Sequence, residues 1–224
     1  EWRKPWPNSS TEYYILDVSN PDAYEYIINV FKQYKIWGAK LIKTDFMLWN
    51  MKDTCAVERF DNTKTSVELF RKLVTGIREA CGEEMYILGC ISPFLPYVGI
   101  ADGMRIGGDI FSAWSPVHME MLSKKFPGSS YFNHVYWEND PDVFIVRDFD
   151  TDLTYSEVLS VTLMQALTGG ISGNSSPIHL ISGQRRKLLE FVIPTAKHVP
   201  VSYPFLNQST PELCMLYKEN GKGA

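Results

Sequence analysis

The feature that most constrains the fold of this chain is a regular alternation of short β-branched or aromatic segments with amphipathic segments, from residue 13 onward. Residues 13–18 and 39–46 have the composition of buried strands. The stretch between them opens with Asn20-Pro21-Asp22 and continues with apolar residues at helical spacing. Strands that alternate with helices predict repeated βα units around a parallel sheet. We therefore expect an α/β protein.

About six βα units can be counted. Their predicted strands are 13–18, 39–46, 85–91, 104–109, 132–137 and a short strand about Ile171. Residues 1–12 are polar, proline-rich and poor in strand-forming residues, so we expect the first two strands of a closed eight-stranded barrel to be absent from this sequence. We expect a partial (β/α)8 TIM barrel over residues 13–200, a polar N-terminal segment over 1–12 and an irregular C-terminal segment over 201–224.

Composition excludes several classes of function. The 224 residues are 45% hydrophobic and 21% charged, which is typical of a globular protein with a sizeable core. The net charge is −4 and no basic stripe is present, so nucleic acid is not an expected partner. No apolar stretch of about 18 residues could span a membrane, and the N-terminus lacks a signal-peptide pattern. We expect a protein of the cytoplasm that does not bind membranes.

The cysteines and histidines do not predict a metal site. The four cysteines are widely spaced, and neither they nor the four histidines show the spacing of metal ligands, so free thiols are expected. No Ser/His/Asp order surrounds a nucleophile elbow. Neither a metal nor an organic cofactor is expected.

Two predicted strands end on a carboxylate that follows a cation. Lys43 and Asp45 are two residues apart, so they point to the same face of their strand, and Arg105 precedes Asp109 at the end of another. If both strands open on a common barrel mouth, the two aspartates can converge on one small substrate. Purely local roles are the alternative. Asp45 could cap a loop with Lys43 as its ion-pair partner, and Asp109 could be the N-cap of the helix that follows.

A family resemblance can now be stated, because motifs recur in order near the strand ends. They are Leu16-Asp17-Val18-Ser19-Asn20-Pro21, Lys43-Thr44-Asp45, Cys90-Ile91-Ser92-Pro93, Arg105-Ile106-Gly107-Gly108-Asp109 and Asn139-Asp140-Pro141-Asp142. Together they resemble the retaining α-galactosidases (melibiases) of glycoside hydrolase clan D, with family 36 the closest. The resemblance covers roughly residues 13–194 and implies the C-terminal portion of a catalytic barrel.

The resemblance implies that Asp45 is the nucleophile and Asp109 the acid/base, with Lys43 and Arg105 as substrate-binding companions. Chemistry agrees with the first role, since the ammonium of Lys43 on the same face would keep Asp45 ionised. Asp109 must instead carry a proton for the leaving oxygen before acting as a base. A retaining enzyme needs its two carboxyl groups about 5 to 5.5 Å apart.

The resemblance also places Cys90 and Ser92 near the bound sugar, although a small buried thiol is an equal explanation of Cys90. Some clan members have a glutamate directly after this cysteine, which recognises a sugar hydroxyl. Ile91 stands there in this chain, so the choice of sugar stays open.

Asp140 and Asp142 match a further motif of the clan. We expect them to orient Arg105 or Lys43 rather than to take part in the reaction, and the formation of a turn is an equal alternative. The tryptophans near predicted strand ends could stack on a pyranose, but core packing is the favoured reading for each. They are Trp49, Trp114 and Trp137.

The leading functional hypothesis is a retaining glycoside hydrolase. It would cleave terminal α-galactosyl residues from an oligosaccharide or glycoconjugate through a covalent glycosyl-enzyme. An α-N-acetylgalactosaminidase and a raffinose-synthase-like galactosyltransferase are alternatives in the same class. A different alternative is a noncatalytic partial barrel. Its exposed parallel strand edges would be covered by self-association or by the rest of a parent chain.

Overall fold

A computed structural model describes residues 14–51 and 58–193, together with the short strands Val201–Ser202 and Met215–Leu216. The predicted segment 1–12 and most of 201–224 lie outside the described residues. The chain divides into two compact units, with the boundary between Asp102 and Gly103. Within the described ranges, every helix is too short or too polar to cross a bilayer.

The first unit consists of two long helices and two strands. In chain order they are α1 (Pro21–Ile36), β1 (Leu41–Thr44), α2 (Ser66–Cys81) and β2 (Tyr86–Gly89), with 3-10 turns at Met47–Met51 and Leu95–Tyr97. The N-cap of α1 is Asn20, whose side chain accepts the Asp22 N–H at 2.9 Å. The N-cap of α2 is Thr65, which forms a capping box with Glu68.

β1 and β2 pair in parallel, from Leu41 opposite Tyr86 to Thr44 opposite Gly89. The apolar face of α2 is buried in this unit, with Phe70 and Val74 fully enclosed. α1 packs closely on α2 at Gly76, where a Cβ would overlap the hydroxyl of Tyr24. A larger residue at this helix contact would force the side chains of Tyr24 and Ile28 to move. The pairing places the ends of both strands, and the residues that follow them, side by side.

The second unit has shorter strands and a more irregular course. In chain order its elements are β3 (Gly103–Arg105), α3 (Pro116–Glu120), a π-helical turn (Met121–Lys125), α4 (Phe126–Ser129), a 3-10 turn (Ser130–Phe132), β4 (Glu138–Asp140), β5 (Val143–Phe144), α5 (Tyr155–Thr168), β6 (Gly173–Asn174), a 3-10 turn (Ile178–Leu180), α6 (Gly183–Val192), β7 (Val201–Ser202) and β8 (Met215–Leu216). β3 pairs in parallel with β4, and β5 with β6, whereas β7 and β8 are antiparallel.

Two apolar clusters form the core of the second unit. One joins α5 and α6 to the strand β5 and includes Phe144, Val158 and Leu188. The other joins the segment after β3 to the helical segment 116–129 and includes Ile110 and Phe126. The parallel pairs and the intervening helices confirm the predicted α/β class. The closure of a barrel stays a prediction.

Two of the predicted strands are wrong. Residues 14–17 have no strand, and a turn follows them at 18–20. The reason is local, because the Asp17 carboxylate accepts both the amide and the hydroxyl of Ser19 and so closes a turn where a strand would continue. The predicted strand 132–137 is a series of turns that contains His134 at a φ of 58°, and the strand begins only at Glu138.

Other boundaries differ by a few residues. β1 ends at Thr44 and β3 at Arg105, so Asp45 directly follows its strand whereas Asp109 lies further along the loop after β3. The short strand expected about Ile171 is found at Gly173–Asn174. The end of β1 was therefore predicted to within two residues, whereas β3 ends four residues before the predicted strand end at Asp109.

Candidate active site

Asp45 lies at the end of β1 beside Lys43. The Lys43 Nζ is 3.4 Å from the Asp45 Oδ2, and the two side chains are 41% and 35% exposed. Both lie on one face of the strand, as the period-two alternation predicts. Because neither is enclosed, the carboxylate is open to a small molecule from solvent.

The surroundings of Asp45 favour its ionised form. Partial burial raises the pKa of this carboxyl, but hydrogen bonds from the Phe46 N–H and the Cys90 thiol and the charge of Lys43 lower it further than burial raises it. The Phe46 N–H donates at 2.8 Å. The net result is a pKa below the usual range for aspartate, so this group is a carboxylate at neutral pH. A nucleophilic carboxylate has to be in this state.

Cys90 directly follows β2 and is buried, with only 2% of its surface exposed. Its thiol donates to Asp45, and its backbone N–H donates to the Thr44 carbonyl at 2.8 Å. Ser92 is half-buried, and its hydroxyl donates to the Cys90 carbonyl at 3.0 Å. Cys90 is thus both a buried thiol and a direct partner of Asp45. Contact of Cys90 or Ser92 with a sugar stays a prediction.

The backbone is strained directly after both strands. Phe46 and Ile91 have φ values of 56° and 43°, although neither is glycine. This conformation is most unusual for a β-branched residue such as Ile91, and it costs of the order of 1–3 kcal/mol. A hydrogen bond joins the segment after β1 to the segment after β2, because the Leu48 N–H donates to the Ile91 carbonyl at 2.7 Å. Strain of this kind concentrates at functional sites.

A buried tyrosine, Tyr97, forms a hydrogen bond with the last residue of β1. The Tyr97 hydroxyl is 2.8 Å from the Thr44 hydroxyl, which donates to the Leu88 carbonyl at 3.3 Å. Tyr97 is fully buried, and its ring meets Phe70 edge to face at 5.4 Å. Burial raises the pKa of Tyr97 to about 12, so it stays protonated and can donate. Sequence reasoning missed Tyr97, because nothing local marks it as a partner of Thr44.

A groove of about 550 Å³ is lined by β1 and α1. Lys43 and Asp45 line it together with Phe31 and Tyr34 of α1 and with Met47. The groove therefore presents a cation and a carboxylate beside aromatic rings. That combination of charge and aromatic surface suits a polar ligand with apolar faces.

In the second unit, Arg105 is held by carboxylates. Its Nε donates to Asp140 at 3.0 Å and its Nη2 to Asp142 at 2.7 Å. These three side chains are at most 10% exposed. Arg105 Nη1 also donates to Asp109 at 3.2 Å. The guanidinium thus joins two buried carboxylates to one that is 74% exposed.

Asp109 is the carboxylate that reaches solvent in this cluster. The suggested N-cap role of Asp109 is wrong, because the helix after it begins at Pro116 and its N-cap is Ser115. The Ser115 N–H donates to the His118 Nδ1 at 3.2 Å. Asp109 therefore does not cap this helix, and an accessible carboxylate beside a cation can exchange a proton with a substrate.

The tryptophans Trp114 and Trp137 make packing contacts within the second unit. Trp137 is buried and donates through its indole N–H to the Asn139 side chain at 3.2 Å, so stacking on a sugar is excluded for it. Trp114 is half-buried and stacks on His118 with ring centroids 5.1 Å apart. The side chain of Trp49 lies outside the described part of the structure. Core packing thus accounts for the described tryptophans.

The described cysteines Cys81 and Cys90 are free thiols, whereas Cys55 and Cys214 lie outside the described residues. Burial raises the pKa of the Cys81 thiol. Over residues 14–51 and 58–193, no group of three or more His, Cys, Asp or Glu side chains is arranged to hold a metal ion.

Several solved structures have a similar fold, whereas no protein family model matches the chain. The α-galactosidase TtGalA from Thermus thermophilus in complex with stachyose is 22% identical with a TM-score of 0.68, over 82% of this chain and 40% of that one. Its complex with p-nitrophenyl α-D-galactopyranoside gives 24% identity and a TM-score of 0.67, over 84% and 39%. α-Galactosidase I from Mortierella vinacea is 14% identical with a TM-score of 0.55, over 75% and 45%.

The chain therefore has an α-galactosidase-like fold and spans about 40% of the length of the Thermus enzyme. At these identities the similarity concerns the fold alone.

Proposed function

We propose that this chain carries the catalytic carboxylates of a retaining glycoside hydrolase that acts on terminal α-galactosyl groups, of the clan D, family 36 type. The observation that carries the proposal is Asp45: an ionised, solvent-accessible carboxylate at a strand end, restrained by a cation and a thiol, in a chain with an α-galactosidase-like fold. The substrate would be an α-galactoside oligosaccharide or glycoconjugate.

In the proposed reaction Asp45 is the nucleophile and Asp109 the acid/base. Asp45 attacks the anomeric carbon while the bond to the leaving oxygen breaks, and Asp109 gives that oxygen its proton. A covalent galactosyl ester of Asp45 results. Asp109, now a carboxylate, takes a proton from water as the water attacks the same carbon and releases Asp45. Two inversions leave the sugar with its α configuration.

The neighbours of each carboxylate have separate tasks. Lys43 and the Cys90 thiol stabilise the ionised form of Asp45, and Lys43 can also donate to a sugar hydroxyl. Arg105 contacts Asp109 and so limits where its carboxyl group can lie. Ser92 follows Cys90 and would contact the sugar from the same loop.

Asp140 and Asp142 have a supporting task in this proposal. Both are buried against Arg105, and they compensate its charge away from solvent. The guanidinium is thereby fixed in one orientation by two acceptors. We propose that they act through Arg105 and do not touch the substrate.

The proposal also includes the barrel. The parallel pairs β1–β2 and β3–β4 are the kind of pairing that a (β/α)8 barrel repeats, and the ends of barrel strands carry the active site in such enzymes. The remaining strands would come from a longer parent chain or from a second copy of this one.

The test is made on the full-length protein with p-nitrophenyl α-galactoside as substrate. Asp45→Ala should abolish turnover, and sodium azide should restore it by forming β-galactosyl azide, because azide takes the place of the missing nucleophile. A 5-fluoro-α-galactosyl fluoride should label the peptide that contains Asp45, which mass spectrometry detects. Asp61→Ala, at an exposed carboxylate in the loop before α2, is the matched control and should leave the rate unchanged. An unchanged rate in Asp45→Ala would show that the nucleophile is elsewhere.

A further inference from the structure

A buried glutamine on α5, Gln165, donates hydrogen bonds to the loop that follows β4. The Gln165 side-chain amide donates to consecutive backbone carbonyls, those of Pro141 at 3.1 Å, Asp142 at 3.3 Å and Val143 at 3.1 Å. These acceptors fix the orientation of the amide, because the flipped form would set its oxygen against three carbonyl oxygens. The Gln165 Oε1 is buried and has no hydrogen-bond partner among the described residues. The side chain therefore keeps its hydrogen bonds to the loop although its own oxygen is left unpaired.

The loop that Gln165 grips is strained. Asp142 has a φ of 72°, and its own N–H donates to the Asp140 Oδ1 at 2.9 Å. Such a conformation costs free energy in a residue other than glycine, although less in aspartate than in most, and here the surrounding contacts hold it. The end of α5 also lies close to the loop at Gly169, where a Cβ would be 2.6 Å from the Pro141 Cγ.

The carboxylate of Asp142 in turn fixes both ends of the segment that carries Asp109. Its Oδ1 accepts from Arg105 Nη2 at 2.7 Å, and its Oδ2 accepts the Ile110 N–H at 2.7 Å. Ile110 directly follows Asp109, and Arg105 is itself a partner of Asp109. Because Asp109 is 74% exposed, little packing of its own holds it.

We infer that Gln165 is a positioning residue for Asp109 and acts through the backbone and carboxylate of Asp142. The inference rests on the proposed acid/base role of Asp109. Gln165 holds Asp142 in its strained conformation, Asp142 holds Arg105 and the Ile110 N–H, and these two set the place of the Asp109 carboxyl group. A small displacement of a proton donor lowers its contribution to the rate.

The consequence is a dependence on the leaving group. An alkyl alcohol leaves only when it receives a proton, whereas 2,4-dinitrophenolate leaves without one. In the full-length protein, Gln165→Met removes the donors but keeps the size of the side chain. It should lower kcat/KM for an alkyl α-galactoside about tenfold or more and that for 2,4-dinitrophenyl α-galactoside much less.

A matched control separates positioning from stability. Val158 is buried in the core on the same helix and has no polar side-chain atom. Val158→Ala should lower the melting temperature and leave the ratio of the two kcat/KM values unchanged. A second readout does not need turnover, because the amide of Ile110 should exchange its hydrogen faster in Gln165→Met than in the parent protein.

Gly169→Ala is the second variant: its Cβ would crowd Pro141 and the Gln165 carbonyl, while the side-chain amide of Gln165 stays in place. It should change the ratio in the same direction, which tests the inference if Gln165→Met does not fold. Asp109→Ala gives the limiting ratio. If Asp109→Ala changes the ratio but neither Gln165→Met nor Gly169→Ala does, Gln165 has no positioning role and the proposed function stands. If Asp109→Ala itself leaves the ratio unchanged, the acid/base assignment is wrong.

Discussion

The Thr44 hydroxyl lies 2.8 Å from the Tyr97 hydroxyl inside the first unit. Thr44 is the last residue of β1 and directly precedes Asp45. The Thr44 hydroxyl donates to the Leu88 carbonyl, so the Tyr97 O–H is the donor to Thr44. The pKa of Tyr97 is raised to about 12 by burial, which keeps this donor protonated at neutral pH. One buried tyrosine thus joins the loop after β2 to the end of β1.

Tyr97→Phe should destabilise the protein by about 1 kcal/mol, because one buried hydrogen bond is lost while Thr44 keeps its bond to Leu88. Urea unfolding measures the change. Tyr131→Phe is the matched control, since Tyr131 is 62% exposed and its change should stay within about 0.5 kcal/mol. Equal effects of the two substitutions would contradict the structural role of Tyr97.

The acid limb of activity should follow the ionisation of Asp45. Its pKa is lowered in the folded protein, so the carboxylate favours folding at neutral pH, and this contribution is lost as the pH falls through the lowered value. Lys43→Met removes the adjacent cation and should raise the pKa of Asp45. The acid limb of kcat/KM should then move to higher pH.

Lys43→Arg keeps a cation beside Asp45 and serves as the control for that experiment. Its acid limb should stay closer to that of the parent protein than the limb of Lys43→Met. An acid limb that does not move in Lys43→Met would mean that another group controls it.

Arg105 and Asp109 should differ sharply in their effect on stability, although they form one ion pair. Arg105→Met leaves Asp140 and Asp142 buried without their cation, and should cost about 3–5 kcal/mol. Asp109→Asn removes a charge that is 74% exposed, and should cost at most about 1 kcal/mol while it abolishes acid/base catalysis. Chemical denaturation measures both variants. A large loss of stability in Asp109→Asn would assign that residue a structural role instead.

At Ile91, substitution by glycine should leave a more stable protein than substitution by alanine, which is the reverse of the usual order. Ile91→Gly relieves the positive φ, whereas Ile91→Ala keeps the Cβ that opposes it, so the glycine variant should be the more stable by about 1 kcal/mol. Leu95 is 78% exposed and starts a 3-10 turn in the same loop, so alanine should be the more stable choice there. Thermal unfolding of the four variants decides the matter. The usual order at Ile91 would show that its backbone relaxes freely.

Local sequence patterns predicted what depends on neighbours along the chain. Two residues of one strand that are separated by a single residue share a face, so Lys43 and Asp45 were expected together and are 3.4 Å apart. The capping box of Thr154 and Glu157 is likewise a local pattern, and it begins α5. The turn at Asp17 was missed although it is local, because the apolar residues before it have the composition of a strand.

The sequence by itself determined the α/β class, the start of α1 and the end of the strand that precedes Asp45. Only the tertiary structure decided which distant side chains support them: Tyr97 reaches Thr44 across 53 residues, and Gln165 reaches the loop after β4 across more than 20. The physical reason is that a buried donor must find whichever acceptor the packing brings close, and packing joins segments whose separation along the chain leaves no periodic signal.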